Sequence, residues 1–140
     1  MGMREILFRG KRIDNGDWAE GTPFQEYNNF WGEWLWLIQT KHPLTNVPYL
    51  HLEIARKTIS QFTGLADKNG KKIFEGDILK GSWNTILIVF YDDVSASYRV
   101  KTPTGYERDP SYYGIDRLEV IGNIHDNPEL LEGERKGDGE

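Results

Sequence analysis

The chain is expected to fold as a mainly β protein of two small lobes with one short C-terminal helix, and three features of its sequence predict this. Apolar residues alternate with polar ones, or run in stretches of strand length, instead of recurring at the helical period. Asn, Asp and Gly clusters cut the chain at short intervals, where tight turns need them. Aromatic residues make up 13% of the chain, with five Trp, seven Tyr and six Phe, and these side chains favour pleated surfaces.

Length and composition bound the rest. At 140 residues with 38% hydrophobic content, the chain can bury a core, and wholesale disorder is not expected. No cysteine is present, so disulfides, thiolate metal sites and thiol nucleophiles are all excluded. No stretch reaches the roughly 18 apolar residues of a membrane span, and Met1 to Lys11 lacks a signal-peptide core, so a cytoplasmic protein without membrane contact is expected. The net charge of −5 is concentrated after Asp126, leaving a nearly neutral body without the basic stripe of a sequence-independent nucleic-acid binder.

The first lobe, 1–57, opens with a hairpin of strands at about 4–13 and 17–22. Asn15-Gly16 has the residue types of a two-residue type I′ turn, and Ile6 and Phe8 would share a buried face opposite Glu5 and Arg9. Asn28-Asn29 then leads into Phe30 to Ile38, whose two alternating registers are both apolar, so a strand there needs cover on both sides. It is either a central strand or a patch that another subunit or partner covers. Prolines 43 and 48 mark a loop, and Glu53 to Lys57 has room for a single helical turn.

The second lobe, 58–132, is expected to be barrel-like. Thr58 to Phe62 reads as a strand, Asp67 to Gly70 as a hairpin turn, and Gly76-Asp77 as a bulge or bend within 73–80. Ile86 to Tyr91, an uninterrupted β-branched and aromatic run, is the clearest buried strand. Asp92-Asp93 turns the chain into Tyr98 to Thr102, Pro103 to Gly114 is a loop, and Arg117 to Ile124 is a last strand aligning Leu118, Val120 and Ile124. Asn127-Pro128-Glu129 places a capping residue, a first-turn proline and an acid at a helix start, and 133–140 has nothing to pack and is expected to be a flexible tail.

Three blocks carry a resemblance. They are Met3-Arg4-Glu5-Ile6 with Phe8-Arg9-Gly10; Gln61-Phe62-Thr63-Gly64-Leu65, Asp67-Lys68-Asn69-Gly70-Lys71 and Glu75-Gly76-Asp77-Ile78; and Val120-Ile121-Gly122-Asn123-Ile124 with Asn127-Pro128-Glu129-Leu130-Leu131. In this order they resemble the YopX family of bacteriophage and prophage proteins. The resemblance implies a mostly β fold, a phage context in a bacterial cytoplasm, and no established enzymatic activity or binding residues to carry over. The motif residues also read as fold punctuation: Gly64, Gly70, Gly76 and Gly122 where a β-carbon would clash, and Asp67, Asn69, Asp77 and Asn123 as acceptors for turn amides.

Chemistry is sparse. Glu75 and Asp77 would share a face on a regular strand and could hold a divalent cation or exchange protons, but no further acid is spaced to complete a shell. His42, His51 and His125 lie far apart without zinc spacing. No catalytic residue, metal or cofactor is therefore expected. Arg4, Arg9, Lys11 and Arg12, together with Lys68, Lys71, Lys72 and Lys80 and the rings of Trp83, Tyr91 and Tyr98, leave single-stranded nucleic acid as an alternative ligand. The favoured expectation is a non-enzymatic accessory protein that binds a host or phage protein and self-associates, with Phe30, Trp31, Trp34 and Trp36 as contact surface.

Overall fold

A computed structural model describes residues 4–40 and 50–132 of the chain. The proline loop, His42 and the expected tail at 133–140 lie outside the described residues. The described chain is mainly β and divides into two compact units, Met1–Phe62 and Thr63–Glu140.

In the first unit, β1 (Phe8–Lys11), β2 (Trp18–Asn28), β3 (Glu33–Thr40), β4 (Leu50–Glu53) and the start of β5 (Ser60–Ala66) lie in the order β4-β3-β2-β1-β5. Each of these neighbouring pairs is antiparallel. Ala19, Ile38 and Ile54 form the buried core, with Trp36, Leu52 and Ile59 packed against it. Burying one such aliphatic side chain contributes about 1.5–3 kcal/mol, which makes this face the unit's main source of stability.

Several local expectations are corrected. The β1–β2 connection is not a two-residue turn: Arg12 N–H donates to Asp17 O (2.8 Å), Gly16 N–H donates to Arg12 O (3.0 Å), and of Asn15 and Gly16 only Gly16 has positive φ, at 75°. Strand β1 starts at Phe8, and Ile6 stands exposed before it. Arg9 is buried instead of facing water, because its guanidinium stacks 4.4 Å from the Trp18 ring centroid and its Nε donates to Ser60 Oγ at 3.3 Å.

The second unit continues β5 and adds β6 (Lys72–Phe74), β7 (Asp77–Lys80), β8 (Ile86–Asp92), β9 (Ser97–Lys101), β10 (Glu107–Arg108) and β11 (Glu119–Asn123). β5 and β6 are neighbours, and the remaining strands form an antiparallel sheet in the order β10-β9-β8-β7-β11. The strand order of that sheet ends at β10 and β11 without closing, so the barrel-like lobe expected from sequence is a β lobe built on an unclosed sheet. Its core is Ile73, Leu79, Leu87, Val89, Val100 and Leu118. Along β8 only Leu87 and Val89 are buried, and the intervening apolar residues are half-covered.

Two further expectations give way to sheet geometry. The register of β11 against β7 shifts between Val120 and Gly122, so the alternation of Leu118 and Val120 does not reach Ile124, which is exposed. The C-terminal helix is present over 129–132, but the Asn127 carboxamide does not cap it. Its Oδ1 turns back to accept from Asn123 N–H at 3.2 Å.

The β7–β8 turn holds Trp83 and Asn84 at φ 59° and 60°, and the Trp83 side chain is 89% exposed. A left-handed conformation costs a β-carbon-bearing residue about 1–2 kcal/mol. Trp83→Gly removes that cost without emptying a packed site, so a net gain of about 0.5–1 kcal/mol in unfolding free energy is expected in urea titration. A loss would mean that the indole packs in solution.

Candidate interaction surface

The β2–β3 hairpin reaches past the strands beside it. Strand β1 pairs β2 only over Trp18 to Gly21, and β4 pairs β3 only over Leu37 to Thr40. From Gln25 to Asn28 and from Glu33 to Leu35 the hairpin pairs with itself alone among the described strands, and at Trp36 the far side is already taken by Ile54 N–H. Such a ribbon has little stability of its own in water, so its sequence bears on what else it meets.

Its tip is braced by local hydrogen bonds. Asn28 Oδ1 accepts from Phe30 N–H (2.8 Å) and Trp31 N–H (3.1 Å), Asn28 O accepts from Gly32 N–H (2.8 Å), and Gly32 sits at φ 67°, where glycine alone is unstrained. This turn places Phe30 and Trp31 before β3, not in the strand that their apolar pattern suggested. Their rings meet edge to face at 5.6 Å, and Tyr27 and Trp34, opposite each other in the register, do so at 5.4 Å.

The four aromatic residues singled out from sequence are thus divided. Phe30, Trp31 and Trp34 are 87%, 68% and 63% exposed, whereas Trp36 packs on the first core. By strand alternation Trp34 and Trp36 share a face, so the apolar face of the core continues outward onto the tip. Tyr27 belongs to this surface and was missed, because only the hairpin register sets it beside Trp34.

The motif residues of the second unit build turns. The Asp67 carboxylate is buried and accepts from Asn69 N–H (2.8 Å) and Lys71 N–H (2.9 Å) through Oδ1, and from Val120 N–H (2.9 Å) through Oδ2. Burial pushes its pKa up, but the three backbone donors outweigh that and hold it below the ordinary carboxylate value. Asn69 takes part through its backbone. Asn123 Oδ1 accepts from His125 N–H (3.0 Å) and Asp126 N–H (2.9 Å), and a β-carbon on Gly122 would stand 2.5 Å from Asn127 Oδ1. At Gly70 a β-carbon would meet nothing; φ 81° is the demand there, as φ 90° is at Gly64 and φ 87° at Gly76.

Glu75 and Asp77 are not placed on one strand face, because Gly76 turns the chain between them. Asp77 is buried and its Oδ2 accepts from Phe74 N–H at 2.8 Å. The described residues contain no group of three or more His, Cys, Asp or Glu side chains placed to hold a metal ion. His51 stands on β4 with its ring 5.0 Å from Phe24.

Several of the cations considered for nucleic acid make contacts within the protein. Lys11 Nζ stands 5.8 Å from the Trp18 ring that Arg9 covers, Arg12 is bidentate on Asp14 at 2.9 and 2.7 Å, and Lys68 lies 3.6 Å from Glu119. Tyr91 and Tyr98 pack on each other at 5.2 Å. No helix among the described residues is long and apolar enough to cross a membrane.

Comparison with known proteins agrees with this architecture. A crystal structure of protein EF1440 from Enterococcus faecalis is similar over 92% of this chain and 99% of its own, with a TM-score of 0.58 and 27% sequence identity. No curated protein matches. The family described as YopX protein matches residues 7–132, nearly the whole chain, and this chain therefore belongs to the YopX family.

Proposed function

We propose that this chain is a non-enzymatic phage or prophage accessory protein that acts by binding other proteins through the tip of the β2–β3 hairpin, a second copy of itself among them. The observation that carries the reading is the exposed ring cluster of Tyr27, Phe30, Trp31 and Trp34 on a ribbon that no other described strand flanks. Rigid rings bury much area for little lost entropy, which is why they concentrate at interface centres. Apolar area of this kind is costly to leave in water at about 25 cal/mol per Å².

The test is sedimentation of the purified chain at tens of micromolar, beside a Trp31→Ser/Trp34→Ser variant. The expected result is reversible association of the wild type, weakened at least roughly tenfold in the variant, since each lost ring is worth about 1–2 kcal/mol. A strict monomer in both cases would remove self-association from the reading.

A second reading, single-stranded nucleic acid on the second unit, is supported by the exposed Trp83 and by Arg108 standing 5.2 Å over the exposed Tyr112 ring. It predicts retention of a fluorescent oligonucleotide with affinity falling steeply as salt rises, and no shift at low salt would end it.

A further inference from the structure

Past Gly21 one backbone edge of the β2–β3 ribbon is paired by no described strand, and its hydrogen-bond directions follow from the register. Arg12 N–H donates to Asp17 O, which turns the odd-numbered residues of β2 toward β1. On the other side Ile54 N–H donates to Trp36 O (3.0 Å), so Trp36 faces β4 and its register partner Gln25 faces away from β3. Past Gly21, where β1 stops, the main-chain groups of residues 23, 25 and 27 therefore point to a side on which no described strand pairs with β2. Pro23 has no N–H to offer, while Gln25 and Tyr27 do.

We propose that this edge, residues 23–27 of β2, pairs antiparallel with the same edge of a second copy about a twofold axis through Gln25. The proposal rests on the tip-mediated self-association above and specifies its geometry. In this register Gln25 N–H groups donate reciprocally to Gln25 carbonyls, and Tyr27 N–H of each copy donates to the Pro23 carbonyl of the other. Pro23 thus lies opposite Tyr27, whose N–H it can accept without needing a donor of its own.

Sterics and charge select this register over its neighbours. A slip one way sets Tyr27 of the second copy opposite Gly21, a position that Phe8 of β1 already occupies. A slip the other way sets Glu26 opposite Glu26, and like charges directly opposite are destabilising. With the axis at Gln25, Glu26 meets Phe24 and no acid meets an acid. The Tyr27 ring of each copy then lies on the Pro23 ring of the other, on the face it shares with Trp34, which gives the aromatic surface cover.

A residue on the axis meets itself, and that is testable. Gln25 is exposed, so Gln25→Lys and Gln25→Glu should fold with unchanged far-ultraviolet dichroism and melting temperature. Each variant alone should show a dimer dissociation constant raised at least roughly tenfold in sedimentation, and an equimolar mixture should recover a heterodimer within about threefold of wild type. A wild type that associates while neither variant changes it would overturn the edge register and leave the tip reading standing. Weakening without recovery on mixing would also overturn the axis through Gln25, and a monomeric wild type would overturn this proposal together with the self-association on which it rests.

Discussion

Asp67→Ala is expected to lower the stability of the second unit by about 3 kcal/mol, since a buried charged acceptor is lost and buried donors are left behind. The carboxylate ties the turn at Asn69 and Lys71 to Val120 of β11, so one substitution loosens both the β5–β6 hairpin and the sheet edge. Chemical denaturation gives the magnitude, and hydrogen exchange at the Val120 amide gives the location. The pH dependence has a definite sign. The folded carboxyl is held below its ordinary value of 3.8, so its contribution is complete above about pH 4 and is lost as pH falls through the lower folded value. Asp67→Asn, which does not titrate, should show a shallower acid limb than wild type, and an unchanged limb would refute the role.

Gly21→Ala is expected to cost about 3 kcal/mol or more in the first unit, because nothing there can move aside cheaply. A β-carbon on Gly21 would overlap the Gln39 carbonyl oxygen and stand 2.8 Å from the Gln39 carbonyl carbon, and both atoms are backbone. The close approach falls where β2 leaves β1 and takes up β3, so the clash acts on the strand pairing itself. Trp18, Trp31, Trp34 and Trp36 all lie in this unit, and intrinsic fluorescence should report an earlier unfolding transition. Gly70→Ala is the contrast: open space surrounds it, only φ 81° objects, and the loss should stay near 1 kcal/mol. Equal losses at the two positions would show that Gly21 is not held by contact.

The mainly β content, the turn at Asp67 to Gly70, the bend at Gly76 and the short last helix could be read from residue types, because propensity, turn chemistry and period-two alternation act over a few neighbours, whereas the strands at 50–53 and 107–108 were not legible there. The Asp67 bonds to Asn69 and Lys71 are of this local kind, whereas the bond to Val120 depends on bringing two distant segments together. Arg9 shows the same limit: its charge and alternation called for water, and only the packing of Trp18 and Ser60 beside it explains its burial. For the aromatic cluster, the apolar pattern of 30–38 already shows more rings than one strand face can bury, but which of them stay exposed follows from the packing of the sheet. Trp36 is covered because the core reaches it, and Trp34, two residues away on the same face, is exposed because the neighbouring strands end first. Where a strand's neighbours stop is a property of the whole sheet, and no local pattern of side chains encodes it.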